Sequence, residues 1–383
     1  MRVLMIHHAL VTLSNHRLPE LLAARPGVQL TVLTPHWWDE ESRRVAQEKT
    51  YDPHYKIRQA PAATFGKARP NLFAFRQGLG ATLRRVRPEI VDCYEEPFSL
   101  VMGQVLSRLR LHAVGAKLMF YSAQNIRKQY PLPFRLIEQW AFRRAAYANV
   151  CCTEAGEVLR GKGYQHTLKR IPLAADHNVF KPMPAARAEV RAKLGLQERR
   201  VVGFLGRLDR DKGVQDVIAA LQQLPADTVA LLVGGGAQAE FAAQAQAAGL
   251  GERVRFTGAV ARTEAASYLN AMDVLAVPSR TTPHWKEQFG RIIVEAFMCG
   301  VPVVGSDSGA IPEVVSDSGL IFPEGDVAAL AAACTRLLDD AAATAKLTEL
   351  ARYRALAEFT WERVAEQRYR VYEEMMAVDE GPR

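Results

Sequence analysis

The sequence predicts an α/β protein built from two doubly wound, Rossmann-like domains in tandem. Three observations lead there. Short β-branched or aliphatic runs alternate with longer segments of helical period along nearly the whole chain. That alternation lapses over Leu173–Arg187, which holds Pro182 and Pro184, and then starts again. The 383 residues are also more than one ordinary domain holds. Hydrophobic residues at 49% and charged residues at 23% are ordinary for globular chains, which excludes disorder, collagen-like sequence and coiled coil.

In the first half the expected strands are Val3–Ile6, Gln29–Leu33, Ile90–Cys93, Lys117–Tyr121, Val150–Thr153 and Lys169–Pro172. Helical segments lie between them at Arg17–Ala24, Phe73–Val86, Ser99–Leu109, Phe134–Ala146 and Glu154–Gly161. The apolar start Met1–Ile6 reads as a first strand and not as a signal peptide, because His7, His8 and His16 follow without a small-residue cleavage site. No run approaches the roughly 18–20 uncharged apolar residues of a membrane span.

In the second half the expected strands are Val201–Leu205, Val229–Val233, Val254–Thr257, Val274–Pro278 and Pro302–Gly305. Helices are expected from Gly213, near Gln238–Ala248, at Glu264–Ala271 and from Gly290, and Trp361–Met376 carries a helical period. The domains are therefore drawn at 1–180 and 181–360, with 361–383 as a closing helical segment. Ligands of such sheets bind outside the carboxyl ends of the strands, so both domains are expected to present those loops to a central cleft.

Cys93, Cys151, Cys152, Cys299 and Cys334 form no CxxC pair and sit in or beside apolar runs, so reduced, buried thiols in a cytoplasmic protein are expected. Charge is unevenly placed. The first 180 residues hold 26 Lys+Arg against 14 Asp+Glu, and the rest hold 23 against 27. A basic first half suggests an anionic partner, either a membrane surface, a phosphorylated lipid or nucleic acid. Phe65–Pro88 sets Lys67, Arg69, Arg76, Arg84, Arg85 and Arg87 among Leu72, Phe73, Phe75 and Leu79. It is either a packed helix or a stretch that lies on anionic lipid. Nucleic acid is disfavoured, since no helix-turn-helix, zinc or RNP pattern accompanies the charge.

Two constellations carry chemistry. In Gly203–Gly213 a strand ends near Gly206, Arg207 follows it, and Lys212 stands where a helix begins. Two cations on one strand-to-helix loop can converge on an anion, with helix-start N–H groups assisting. In Glu287–Val304, Glu287 precedes a helix opened by Gly290, and Glu295 lies within its first turns. The N–H groups near Phe289, Gly290, Arg291 and Ile292 carry the positive end of that helix. Ser306–Glu313 adds a Gly-containing loop on the same sheet edge.

The spacing Gly-Arg-Leu-x3-Lys-Gly, then Glu-x7-Glu running into Ala-Phe-Met-Cys-Gly-x-Pro-Val-Val, resembles glycosyltransferase family 4, the retaining, GT-B-fold enzymes that use nucleotide sugars. Pro88–Asp92, Tyr94–Pro97, Ile171–Asp176 and Phe180–Pro182 fit the same family, so the resemblance covers nearly the whole chain. It implies an acceptor-binding domain over 1–180, a nucleotide-sugar-binding domain over 181–360, and a last helix that crosses back to the first domain. Arg207 and Lys212 would grip the donor diphosphate near Gly206, Glu295 the ribose hydroxyls, and Glu287 the transferred sugar. Arg291 stands where many relatives are aliphatic, as a third phosphate cation or as a solvent-facing residue.

Asp209-Arg210-Asp211 is a literal DxD, but it lies between cations that already neutralise a diphosphate, so it reads as solvated loop. No metal and no cofactor beyond the nucleotide-sugar substrate are expected. In the first domain the Gly-rich loop of many relatives is replaced by His7–His16, where Asn15 and His16 are substitutes by position. Gln124 or Asn125 stands after the strand where relatives carry a His, and Glu95 and Glu96 follow another strand end, placed to orient an acceptor hydroxyl.

The expected protein is a retaining, metal-independent glycosyltransferase acting on a glycan, lipid-linked or small-molecule acceptor, in cell-surface polysaccharide or glycolipid synthesis. It is expected in the cytoplasm, at the inner face of the membrane if the basic half binds there. A nucleotide-sugar epimerase of the same architecture and a non-catalytic sugar-nucleotide binder are the alternatives.

Overall fold

The computed structural model describes residues 1–12, 15–40, 43–46, 55–64, 70–112 and 115–377. The chain divides into two compact units, Met1–Pro172 with Trp361–Arg383, and Leu173–Thr360. The break comes earlier than the one expected after residue 180. Residues beyond Pro172 already belong to the later unit: the Ala175 N–H donates to the Phe359 carbonyl at 3.0 Å, and Ala175 bridges to Thr360.

The first unit holds a seven-stranded sheet in the order Thr167–Arg170, Tyr147–Val150, Lys117–Ser122, Ile90–Cys93, Arg2–Ile6, Gln29–Pro35, Lys56–Ala60, and all its neighbours are parallel. From the first strand the chain builds outward on one side to Lys56–Ala60, then returns to lay Ile90–Cys93 on the other. The direction of building thus reverses between Arg2–Ile6 and Ile90–Cys93, where Ile6 pairs with Cys93. Loops leaving two such strands part to opposite faces and open a crevice at their carboxyl ends. Val3–Ile6 and Ile90–Cys93 are buried throughout, the pattern of parallel strands covered on both faces.

Several elements differ from expectation. Phe73–Val86 is not one helix but a strand, Phe73–Phe75, and a helix, Leu79–Val86. Gly78 between them takes φ 95°, which a helix interior excludes. Leu79 and Leu83 turn inward while Arg84 and Arg85 are exposed, so the apolar face of this helix covers the core; Lys67 and Arg69 lie outside the described residues. The strand expected at Val150–Thr153 is Tyr147–Val150, and Cys152 already caps the helix Thr153–Gly161. The helix Pro184–Leu194 occupies the end of the stretch expected to be a linker.

The second unit has a six-stranded parallel sheet in the order Val254–Gly258, Thr228–Val233, Arg200–Leu205, Val274–Val277, Val303–Ser306, Leu320–Phe322. Its reversal lies between Arg200–Leu205 and Val274–Val277. Phe204, Leu232, Phe241 and Cys334 pack in one core cluster of that unit.

The last described helix, Trp361–Ala377, belongs to the first unit and packs on the helix Arg17–Ala23. Arg17 reaches Glu362 at 2.9 Å and Lys117 donates to the Met375 carbonyl at 2.6 Å. Arg368, fully buried, forms a two-pronged pair with Asp92 on the strand Ile90–Cys93 at 2.6 and 2.5 Å, and the Tyr372 hydroxyl donates to the same carboxylate at 2.5 Å. All five cysteines are free and buried. Among the described residues no helix is long and apolar enough to cross a membrane.

Candidate functional site

In the second unit the two strands at the reversal deliver the residues that the sequence singles out. Arg200–Leu205 leads into Gly206 and Arg207, and Val274–Val277 leads into Ser279 and the loop to Glu287. The two loops are tied together. Gly213 takes φ 74°, and a Cβ there would lie 1.8 Å from the Pro278 carbonyl oxygen, so only glycine allows this approach. The Arg280 N–H donates to the Asp211 carbonyl at 2.8 Å, and its guanidinium grips the buried Asp216 carboxylate at 2.8 and 2.6 Å.

This bracing places Lys212 beside Glu287. The ammonium donates to Oε2 at 2.7 Å, the Ser279 hydroxyl donates to the same oxygen at 3.1 Å, and the Trp285 ring lies 4.4 Å from Nζ. Glu287 is held from behind by the next loop. The Ala310 N–H donates to its carbonyl at 3.0 Å, and Gly309, at φ 56°, comes so near that a Cβ would lie 2.1 Å from that oxygen. Gly290, at φ 75°, then turns the chain into the helix Arg291–Cys299. Ile293 bonds back to the Gly290 carbonyl, so the N–H groups ahead of it lie at the start of the helix, where its dipole is positive.

Glu295, one turn inside, is 5% exposed and accepts from Arg262 at 3.1 Å. Burial pushes its carboxyl above the usual range, while the Arg262 and Arg291 charges pull it back down. Arg291 therefore acts electrostatically on Glu295. Phe289 is buried and packs edge-on against Phe359 at 6.0 Å, so it offers its backbone and not its ring. Arg207 is largely exposed and pairs with Asp209 at 3.0 Å. Asp209 also accepts the Asp211 N–H at 3.2 Å, so the first carboxylate of the DxD is engaged in its own turn.

In the first unit Arg2–Ile6 delivers His7 and His8, and Ile90–Cys93 delivers Tyr94, Glu95 and Glu96. Glu95, 3% exposed, accepts the His8 backbone N–H at 2.8 Å and His8 Nδ1 at 2.8 and 2.9 Å. Glu96 accepts from the Ser122 hydroxyl at 2.6 Å and the Ala123 N–H at 2.8 Å; burial nevertheless pushes its carboxyl up to about 7. His7 stacks on Tyr94 and Tyr94 on Tyr121, both at 4.3 Å, and burial drives the His7 imidazole well below its usual range. Gln124 accepts the Ile126 N–H at 3.2 Å, and the Asn125 amide donates to Glu154 at 3.1 Å.

The structure thus brings Glu95, Glu96, Gln124 and Asn125 to the carboxyl ends of two adjacent strands. Asn15 and His16 are placed differently. The Asn15 amide donates to the Ala9 carbonyl at 2.8 Å. His16 is 1% exposed, with Nε2 2.8 Å from the Leu10 carbonyl and Nδ1 2.8 Å from the Tyr55 hydroxyl. A carbonyl only accepts, so Nε2 carries the proton, Nδ1 accepts from Tyr55, and both nitrogens are used in bracing the loop. His8, Arg262, Ser279, Trp285 and Arg280 were not singled out by sequence; only the Arg-Thr-Thr-x-x-Trp loop before Glu287 carries a local signal, in its unusual richness in polar and aromatic residues.

Residues 186–354 match the family model described as glycosyl transferases group 1. Among curated proteins the chain is 36% identical over 207 residues to a GDP-mannose-dependent alpha-(1-6)-phosphatidylinositol monomannoside mannosyltransferase of Mycolicibacterium smegmatis, covering 52% of this chain and 54% of that one. It is 32% identical over 226 residues to a 2-deoxystreptamine glucosyltransferase of Streptomyces kanamyceticus, covering 56% and 57%. The chain spans about half the length of the curated relatives it matches. Among solved structures, sucrose-phosphate synthase from Thermosynechococcus elongatus superposes with a TM-score of 0.75 at 24% identity, over 98% of this chain and 99% of the other. HepE of Anabaena, solved in complex with UDP, gives a TM-score of 0.75 at 20% identity, over 98% and 100%. Residues 186–354 are thus similar to the group 1 glycosyl transferases, and over nearly its whole length the chain has the GT-B fold of these solved structures.

Proposed function

We propose that this chain is a retaining glycosyltransferase that moves a sugar from a nucleoside-diphosphate sugar to a hydroxyl acceptor without a metal ion. One observation carries the reading. Lys212 and Glu287, from the two loops at the sheet reversal, meet at 2.7 Å beside the helix start at Gly290. A cation, a carboxylate and a positive helix end so arranged suit a substrate that is anionic at one end and rich in hydroxyls at the other.

In this reading the acceptor oxygen bonds to the anomeric carbon on the face that the diphosphate leaves. The carbon–oxygen bond to phosphate breaks with its electron pair on the diphosphate, and the departing phosphate oxygen takes the acceptor's proton. Arg207, Lys212 and the N–H groups from Phe289 to Ile292 stabilise the charge that grows there. Glu295 accepts from ribose hydroxyls, and Glu287 from hydroxyls of the transferred sugar. Residues of the first unit bind the acceptor. The mannosyltransferase and glucosyltransferase relatives support a hexose donor, and the phosphatidylinositol acceptor in the name of the first supports glycolipid or cell-surface polysaccharide synthesis. Exposed Arg76, Arg84, Arg85 and Arg87 would favour an anionic membrane surface at the cytoplasmic side.

The test is incubation with UDP-, GDP- and ADP-sugars in the presence of EDTA, with diphosphate release and anomeric configuration followed. Metal-free release with retained configuration is expected. Activity lost to EDTA and restored by manganese overturns the metal-free reading. A changed sugar on an intact nucleotide shows an epimerase, and binding without turnover a non-catalytic binder.

A further inference from the structure

The reversal of the first sheet places one side chain where an acceptor should sit that neither its sequence context nor its neighbours' spacing announces. His8 follows the strand Arg2–Ile6, and Glu95 follows the adjacent strand Ile90–Cys93. The two loops therefore open on the crevice that forms where the building direction of a parallel sheet reverses. Glu95 holds His8 twice, through the backbone N–H at 2.8 Å and through Nδ1 at 2.8 and 2.9 Å. A carboxylate accepts only, so Nδ1 carries a proton, and whenever the ring holds just one proton its lone pair resides on Nε2. The ring is also confined by Trp38 at 4.5 Å, Phe73 at 5.8 Å and His7 at 5.5 Å.

What remains open is the other edge. The His8 side chain keeps 17% of its exposure, and among the described residues no group hydrogen-bonds to Nε2. A fixed imidazole with one edge on a buried carboxylate and the other presented at the carboxyl end of a sheet is built to receive a donor proton from a ligand. His16, only a short way along the chain, shows the contrast: both of its nitrogens are consumed internally.

We infer that His8 Nε2 accepts the hydrogen bond of the acceptor's reacting hydroxyl and that Glu95 is the positioning residue that fixes the ring for this contact. The inference rests on the glycosyl-transfer reading and deepens it. It moves the direct contact from Glu95, which sequence spacing suggested, to the imidazole in front of it. The ligand class is an alcohol, presented by a sugar or another polyol. The hydrogen bond holds the hydroxyl for approach to the anomeric carbon; as the new carbon–oxygen bond forms and the bond to phosphate breaks, the hydroxyl's single proton swings from Nε2 to the departing phosphate oxygen.

Two measurements test this on the full chain. The first is nitrogen-15 correlation spectroscopy of the imidazoles at mildly alkaline pH, with His8→Gln assigning the signal. Nδ1–H with an unprotonated Nε2 is expected for His8, and Glu95→Gln should shift the proton toward Nε2, because the amide group can donate to Nδ1. A wild-type ring protonated on Nε2 overturns the inference. The second is donor turnover with water and with octyl β-D-glucopyranoside as acceptor probes. His8→Ala and Glu95→Gln should each lower kcat by about 10²-fold, the cost of a misaligned reactant. The KM for donor and the nucleoside-diphosphate thermal shift should stay unchanged, which also shows that the variants fold. Undiminished turnover in His8→Ala overturns the inference. A wild type that turns over no nucleotide sugar overturns the transfer reading instead, and the tautomer still decides the His8 assignment by itself.

Discussion

Lys212 Nζ lies 2.7 Å from Glu287 Oε2, with the Ser279 hydroxyl on the same carboxylate oxygen. The ammonium proposed to bind diphosphate is therefore already neutralised, and the carboxylate proposed to bind the sugar holds it at the boundary of the two subsites. A ligand with phosphate on one side and hydroxyls on the other can divide this pair without leaving either charge alone. A ligand with only one of those ends cannot.

The first prediction follows from that coupling. Lys212→Ala should reduce donor turnover by about 10²–10³-fold, the scale of losing one preorganised donor to a leaving group. It also leaves a largely buried carboxylate next to the diphosphate. The double variant Lys212→Ala/Glu287→Gln should therefore bind nucleoside diphosphate more tightly than Lys212→Ala alone, a non-additivity expected of residues in contact. Calorimetric titration of the two variants measures it; equal affinities would show that the pair is not coupled to the ligand.

A second prediction concerns Glu295. Its carboxyl is pushed up by burial and pulled down by Arg262 and Arg291. Arg262→Gln removes one of the two opposing charges, so the carboxyl must rise further. A carboxylate that accepts from ribose hydroxyls binds best when ionised. Nucleotide affinity should therefore weaken on acidification, and in Arg262→Gln the weakening should begin at higher pH than in the wild type. Superimposable curves of Kd against pH for the two proteins would remove Glu295 from the ribose.

Much of this architecture is legible in the chain because parallel strands buried on both faces leave continuous apolar runs. Val201–Leu205, Val229–Val233 and Val274–Val277 could hardly be anything else. Gly213 and Gly290 are legible for a different reason, since each marks a positive-φ turn at a helix start. Lys56–Ala60 escaped because it lies at the sheet edge and carries Lys56 and Arg58, which weaken the apolar signal. The partners of the site escaped for a deeper reason. Arg262 meets Glu295 and Arg280 meets Asp216 across long stretches of chain, and only the sheet order brings them together. His8 was passed over because a histidine reveals its use by the bonds it makes, not by its place in a sequence.

Arg368 is the extreme case of such long-range pairing, and it yields a third prediction. Both it and Asp92 are fully buried, and the pair joins the last helix to a central strand of the first sheet. Removing one partner strands the other's charge, so Arg368→Ala should cost about 3–5 kcal/mol of stability. Tyr372→Phe, which deletes a single hydrogen bond to the same carboxylate, should cost about 1–3 kcal/mol. In urea unfolding the loss should fall on the transition of the unit 1–172 with 361–383 and spare that of 173–360. A transition of the second unit that moves equally would mean the helix stabilises both.

The last prediction is the pH dependence built in by Glu96. Burial pushes its carboxyl from an ordinary 4.5 to about 7, against the hydrogen bonds from Ser122 and Ala123. Between those two values the folded protein holds a proton that the unfolded chain has released. Stability therefore falls as pH rises from 4.5 through 7 and levels off above, because the folded state binds the more protons in that window. The loss is on the order of 2–3 kcal/mol at most, since each unit of difference is worth about 1.4 kcal/mol and Glu96 keeps some contact with solvent. Glu96→Gln keeps a carbonyl oxygen for the Ala123 N–H and turns its NH2 group to the Ser122 hydroxyl, which can accept, and it has nothing to ionise. Its denaturation midpoint should lack this decline, while the wild type shows it on top of whatever slope the two share. Parallel midpoint curves for the two proteins would mean that Glu96 is ionised at neutral pH at no cost, and that solvent reaches its carboxylate more fully than its hydrogen bonds to the Lys117–Ser122 strand end imply.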